Sequence, residues 1–300
     1  MHIVMAGASG LIGTSMSAAF RNAGHTVVTL VRRPPAGPGE VRWDPASHTL
    51  DPGALAGAGA VVNLSGAGIG DKPWTRKRVA ELFSSRLEPT RTLVQAMAKL
   101  DAPPAAFISQ SASGYYGDAG NTVLREDAPP GTGTLAQICV EWEQAALAAP
   151  AGVRVVTPRT GVVFSRSGGA LGKLLPLLRL GLGGPFGNGR QFWPWVALPD
   201  VSAAFLFLLD SDVFGPVNIA APEQADVNTI VAALAGALHR PAALRVPAPV
   251  LRTVMPGLGE ELLLHSQRME PAVLAAAGYP WQYARLDEAA QWVVGRDRKA

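Results

Sequence analysis

Cysteine is nearly absent: Cys139 is the only one in 300 residues. That excludes an intrachain disulfide and a cysteine-built zinc site, and the expected location is cytoplasmic. His2, His25, His48, His239 and His265 never fall at ligand spacing, so no metal is expected either. No uncharged apolar run reaches the ~18 residues needed to cross a bilayer. "MHIVMAGASGLIG" opens apolar, but no basic stretch precedes it and no small-residue cleavage site follows, so it does not read as a signal peptide. Charge is sparse, at 16% of residues with a formal net charge of +3, and Lys and Arg are scattered instead of blocked. Neither nucleic acid nor a membrane is an expected partner. No Gly-x-Ser-x-Gly elbow offers a serine hydrolase a foothold. "GGALGKLLP" lacks P-loop spacing and puts Leu174 where a hydroxyl should bind magnesium.

What is present is a core-forming chain, 48% hydrophobic, long enough for one large domain or two unequal ones. "HIVMAG" reads as a buried strand, "LIGTSMSAAFRNAG" as a helix closed by Gly24, and "HTVVTLVRR" as the next strand. A right-handed crossover to a parallel neighbour follows. "RPPAGPGE" reads as a loop and "GAVVNLSGAG" as a buried strand, followed by a helix over 74–100. The strand "PAAFISQS", a helix over 134–148 and the strand "GVRVVTPRTGVVF" come next. This alternation predicts an α/β fold, a Rossmann-type doubly wound parallel sheet with a smaller, mostly helical C-terminal substrate or cap region. The expected division is a nucleotide-binding domain over 1–165, with a contribution from about 196–222, and a cap over 166–300. The last residues, "GRDRKA", are expected to fray.

"GASGLIG" sets Gly7, Gly10 and Gly13 between the first strand and first helix. Glycine there permits a tight turn and close approach of backbone N–H groups to a pyrophosphate, while the helix N-terminus favours negative charge. The second strand ends "LVRRPP", with Arg32 and Arg33 and no acid before Glu40. An acid at that place would bond a ribose 2′-hydroxyl, whereas arginine accommodates a 2′-phosphate. A charge-assisted bond is worth about 1.5–3 kcal/mol, so the expected cofactor is NADP(H), with Arg32 favoured over Arg33.

Together with "VVNLSGAGI", "SSRLEPTRTL", "SASGYYG", "WEQAA", "PRTGVVFSRSGGALGKLLP", "LGLGGPFGNGRQFWPWV", "GPVNIAAP" and "LLLHSQRMEPAVLAAAGY", these features resemble one family nearly end to end. It is the atypical branch of the extended short-chain dehydrogenase/reductases, the NAD-dependent epimerase/dehydratase-like proteins with an added C-terminal domain, here from about 245. The resemblance implies that Gly7, Ser9, Gly10, Leu11, Ile12 and Gly13 hold the pyrophosphate and Arg32 and Arg33 the adenosine end. It also implies that Leu64, Ser65, Glu81, Arg86 and Val163 reach the cofactor. Glu81 and Arg86 lie about 140° apart around an ideal helix, so they face one cleft only if it wraps the helix or the turn is distorted. The sequence admits a homodimer.

Active relatives carry Tyr-x-x-x-Lys on the helix after the fifth strand, followed four residues later by Glu in sugar epimerases. Aligning that Glu with Glu143 puts Leu135 at the tyrosine and Cys139 at the lysine. Leucine cannot exchange protons, and a thiol carries no positive charge to lower a phenol pKa from about 10. Ser111 or Ser113 stands where a catalytic serine would follow the fifth strand, and Tyr116 is a candidate proton donor. Cys139 itself reads as a small buried side chain. Many relatives have histidine where Ala197 stands, although Asp200 is kept. Arg190, Gln191, Trp193 and Trp195 suit either a small polar ligand or core packing. Two functions stay open: an epimerase-like oxidoreductase acting on an unidentified small molecule, and a non-catalytic NADPH-binding sensor or regulatory module.

Overall fold

A computed structural model of the chain describes residues 1–295; the expected fraying beyond Gly295 lies outside the described residues. Seven strands make the main sheet: β1 (His2–Ala6), β2 (Thr26–Val31), β3 (Glu40–Arg42), β4 (Ala60–Asn63), β5 (Ala106–Ser109), β6 (Arg154–Thr160) and β7 (Gly215–Ile219). Their spatial order is β3-β2-β1-β4-β5-β6-β7, all parallel. The order reverses between β1 and β4, the switch point of a doubly wound sheet. A two-residue strand, Ser111–Ala112, extends the pairing of β6 beyond the end of β5.

Continuous apolar runs form these strands because both sheet faces are covered. Successive side chains point to opposite faces, so Ile3 and Met5 pack with Met16 and Phe20 of α1 (Leu11–Asn22) and with Val201 and Phe205 of α5 (Leu198–Asp210). Val4 and Ala6 face the other way, against Leu93 and Met97 of α2 (Arg76–Met97) and Ala146 of α3 (Thr134–Leu147). Each large apolar side chain buried this way contributes about 1.5–3 kcal/mol relative to exposure. A separate core joins α4 (Leu171–Arg179), α6 (Val227–Leu238) and α9 (Leu286–Val293) in the C-terminal half, next to α7 (Ala248–Val254) and a π-helical turn at Gly259–Leu264, whereas α8 (Ala272–Ala276) packs through Leu274 onto the main-sheet core.

Four details differ from the sequence reading. "RPPAGPGE" ends by entering β3, a strand of three residues, too short to announce itself by periodicity. "GVRVVTPRTGVVF" is two strands, because a Cβ on Gly161 would stand 1.9 Å from the Pro194 carbonyl oxygen and the chain leaves the main sheet there. Val162–Phe164 pairs instead with Trp195–Ala197. The aromatic loop also contributes Phe192–Trp193, antiparallel to Ala225–Asp226. Finally, α8 and α9 fall within the mostly helical region expected over 166–300, although no individual helix was expected at either position.

Asp200, in the first turn of α5, ties this C-terminal half to the sheet. Its buried carboxylate accepts the backbone N–H groups of Gln282 (2.7 Å) and Tyr283 (2.9 Å), while its own carbonyl accepts the Tyr279 hydroxyl (2.9 Å). Asp200→Ala leaves two donors without their acceptor, at an expected cost of about 2–4 kcal/mol. The measurement is a lower urea midpoint, accompanied by faster amide exchange at Gln282 and Tyr283.

Candidate functional site

The carboxyl ends of β1, β4 and β5 open at the switch point, and the chain after β1 is shaped by close approach. Gly7 has φ +77°, and a Cβ there would meet the Leu64 backbone at 2.6 Å; one on Gly13 would stand 2.3 Å from the Gly7 carbonyl oxygen. Gly10 caps α1 with extended backbone, and a Cβ on it would meet nothing nearer than 3.7 Å. No side chain caps this helix and no acid lies in its first turn. Thr14 N–H is the first to bond back to Gly10 (2.8 Å), so the preceding amides are directed out of the helix. Ser9 is exposed beside them, while Leu11 and Ile12 are half-buried. An uncapped N-terminus with an open glycine is a cradle for phosphate oxygens.

Asn63 builds the next wall. Its side chain accepts Ser65 N–H (3.1 Å) and donates to the hydroxyls of Thr90 (2.9 Å) and Ser109 (3.3 Å), pinning the turn after β4 to α2 and β5. Leu64 N–H bonds Ala6 O (2.9 Å), which seats Leu64 and Ser65 against the glycine loop. Val163 closes the other side: with Ala8, Ile12 and Leu64 it packs onto one core cluster. The Gly168–Gly169 turn that follows lies on Leu11.

The two arginines after β2 part company. Arg33 is held in a two-pronged pair by Glu40 (2.5 and 2.7 Å), whose carboxyl also accepts Ala36 N–H and is lowered to about 2 chiefly by that arginine. Arg32 is exposed, and among the described residues no carboxylate pairs with it. Arg33 thus fastens its own loop, and Arg32 is left exposed beside it. Glu81 and Arg86 part likewise. Glu81 is exposed and pairs with Arg78 (2.8 Å), whereas Arg86 is 8% exposed and donates to Ala67 O (3.1 Å).

Ser111 and Tyr116 belong to a buried polar network. Ser111 Oγ donates to Glu143 (2.6 Å), which grips Arg159 through both oxygens (2.8 and 2.9 Å). Arg159 continues to the Tyr116 hydroxyl and Glu126 O (both 3.0 Å), and its guanidinium lies 3.4 Å from the centre of the Tyr115 ring. Tyr116 donates to Asn218 Oδ1 (2.7 Å) on β7. Burial pushes its phenol up to about 12 despite the nearby guanidinium. In this structure the hydroxyls weighed as general acid and substrate partner, those of Tyr116 and Ser111, are both committed to hydrogen bonds inside the protein. Sequence reasoning missed Arg159 and Glu126; the one signal was an arginine inside an otherwise buried strand, which demands a partner.

The positions of the absent pair are filled by packing. A Cβ on Gly114 would stand 3.0 Å from Leu135 Cβ and 3.7 Å from Cys139 Sγ, so the turn after β5 sits directly on α3. Burial raises the Cys139 thiol to about 11, and it faces Ala112 O (3.6 Å). The aromatic loop is largely core: Trp195 stacks on Phe164 and Trp193 leans on Phe186, while Arg190 is exposed. Gln191 donates to two backbone carbonyls. Glu261, from the π-helical turn, caps α3 through the N–H groups of Thr134 (2.9 Å) and Leu135 (2.7 Å), a contact no local sequence signal announces.

Comparison with known proteins places these features in context. The model of the NAD dependent epimerase/dehydratase family matches residues 3–220, and a domain of unknown function matches 246–293. "Epimerase family protein Mb2239" of Mycobacterium bovis is 40% identical over 296 residues, 98% of each chain. The crystal structure of human epimerase family protein SDR39U1 (isoform 2) with NADPH superposes with a TM-score of 0.91 at 32% identity, covering 98% of this chain and 99% of that one. A nucleoside-diphosphate sugar epimerase from Corynebacterium glutamicum gives 0.82 at 30% identity, over 99% of this chain and 59% of that one.

Tyr116→Phe removes a hydroxyl that serves both Arg159 and Asn218. The expected loss is about 1–3 kcal/mol of stability, read from urea unfolding, with NADPH affinity unchanged in a fluorescence titration. A tyrosine acting on ligand would instead show its effect in turnover at full stability.

Proposed function

The chain belongs to the NAD dependent epimerase/dehydratase family, and from that premise we propose that it binds NADP(H) across the switch-point crevice as an epimerase-like oxidoreductase acting on a small molecule. One observation carries the choice of cofactor: Arg32 stands exposed and unpaired at the end of β2, while the nearest acid, Glu40, is occupied by Arg33. A free guanidinium at that place suits a 2′-phosphate, and no carboxylate is left to receive a 2′-hydroxyl. The human relative's structure with NADPH supports the same reading. The uncapped α1 and the cradle around Gly7, Gly10 and Gly13 fit a pyrophosphate.

When bound, the nicotinamide ring would supply hydride exchange at its C4. The protein's own residues orient that ring. Leu64, Ser65 and Val163 line the crevice beside the glycine loop and exclude water from it. Of the positions weighed for proton transfer, Leu135 is inert, Cys139 is a buried high-pKa thiol, and Ser111 and Tyr116 are engaged in hydrogen bonds. General acid–base assistance is typically worth 10²–10⁴ in rate, so that arrangement favours a second reading, a non-catalytic sensor whose conformation follows NADPH occupancy.

Arg32→Ala is expected to weaken NADPH binding about 10- to 100-fold and to leave NADH binding within twofold, measured by calorimetry. Equal preference loss for both, or none, refutes the assignment. Incubation with NADPH and a carbonyl panel, followed at 340 nm, separates the two functions: consumption establishes the oxidoreductase, and tight binding without consumption establishes the sensor.

A further inference from the structure

The C-terminal half presents an apolar surface framed by charge of one sign. Leu177, Leu180, Leu182 and Leu244 are 48%, 71%, 56% and 53% exposed. Single leucines are ordinary on a protein surface, but several gathered in one place mark a contact. Backbone contacts gather these. Beyond α4 the chain reverses at Gly181, where Leu182 N–H bonds Leu177 O (2.9 Å), and a Cβ on Gly181 would lie 3.6 Å from the Pro241 ring. A Cβ on Gly184 would stand 2.3 Å from the Leu244 carbonyl oxygen, and Val246 N–H bonds Pro185 O (3.0 Å). The turn after α4 and the segment after α6 therefore form one surface.

Its charge is positive throughout. Arg179 stands two residues before Gly181 and Arg240 directly before Pro241, so both flank that junction. Each is exposed, and among the described residues neither guanidinium has an ion-pair or hydrogen-bond partner. The sequence holds no Asp or Glu between Glu143 and Asp200, nor between Asp226 and Glu260, so the two segments bring no acid to the surface. Along the chain these basic residues look scattered, because Arg179 and Arg240 come to one junction only in the folded protein.

Three kinds of occupant differ in what they require. A second copy docked about a two-fold axis would set the patch against itself, cation toward cation with no acid to relieve them. A helical peptide needs a groove to lie in, whereas Leu180, Leu182 and Leu244, each more than half exposed, stand out from the surface. An anionic bilayer accepts both features: protruding leucines enter the boundary between headgroups and acyl chains, while guanidiniums stay level with the phosphates. We propose that this face is a peripheral docking surface for an anionic phospholipid bilayer, seated through Leu180, Leu182 and Leu244 and held by Arg179 and Arg240. It departs from the expectation, drawn from scattered charge, that no membrane is a partner.

Flotation of the full chain with vesicles is the test. Vesicles of mixed phosphatidylcholine and phosphatidylglycerol are expected to carry the protein, pure phosphatidylcholine vesicles are not, and added salt weakens the association. Arg179→Gln and Arg240→Gln each lower the vesicle partition coefficient about fivefold, and Leu182→Asp lowers it about 10- to 100-fold. Arg21→Gln, at an exposed arginine of α1, leaves it unchanged. Because Cys139 is buried, Leu182→Cys takes a single environment-sensitive dye, whose emission moves to the blue on the anionic vesicles alone. A leucine-rich acidic peptide and light scattering supply the other arms. Peptide bound at this face without vesicle binding, or a particle mass that halves in Leu182→Asp, overturns the proposal. So do equal binding to neutral vesicles, binding to neither, and Arg179→Gln and Arg240→Gln proteins that float like the unsubstituted one.

Discussion

The ion pair between Arg159 and Glu143 joins β6 to α3 inside the protein, with both side chains almost wholly out of water. Charges buried together are retained only when every remaining donor and acceptor is matched. That requirement recruits Ser111 to the carboxylate, and Tyr116 and the Glu126 carbonyl to the guanidinium. Tyr116 then carries the pattern to Asn218 on β7, whose amide donates to Leu124 O and Glu270 O, and whose N–H is taken by Glu126. One buried pair thereby fixes α3, the turn after β5, the edge strand and the segment before α8 relative to one another.

The same network determines what the crevice lacks. Its hydroxyls lie where a reader of the sequence would look for acids and bases, and they are consumed by structure. Leu135 and Cys139 fit this arrangement: with no side chain on Gly114, the turn after β5 settles onto α3 and fills the space between them. A lysine at 139 would have to place an ammonium beside Arg86 and within the reach of Ala112 O, in a site already closed to water. The loss of the pair and the tight packing of α3 are therefore one structural fact seen from two sides.

What was legible in the sequence was local. The glycine loop and the strands on either side of it announce themselves through turn chemistry and apolar runs a few residues long, and the parallel direction of the sheet follows from the alternation of strands and helices. The candidate residues on that loop and at the end of β2 could be named for the same reason, whereas Leu64 and Ser65 after β4 were named only through the family resemblance. The distinction between Arg32 and Arg33 could not, because it depends on which side chain Glu40 reaches across a seven-residue loop. Nor could the fate of Tyr116, whose partner is 102 residues away, or the capping of α3 by Glu261 from 126 residues downstream. Short β3, and the break at Gly161, were hidden because three residues show no period and a steric contact with Pro194 leaves no pattern.

That long-range cap bears on binding. α3 starts at Gly133, with φ +108° and no capping side chain of its own, so its amides would otherwise form an open site for a negative group. Glu261 fills it with a carboxylate from the C-terminal half. Lys173 of α4 donates to Gly70 O (2.8 Å) in the loop after β4. Near the switch point, the α1 N-terminus keeps its amides uncapped, and Arg32 at the end of β2 is exposed. A negative group is therefore better accommodated at the start of α1, whose amides stay uncapped, than at the start of α3, whose amides Glu261 already occupies.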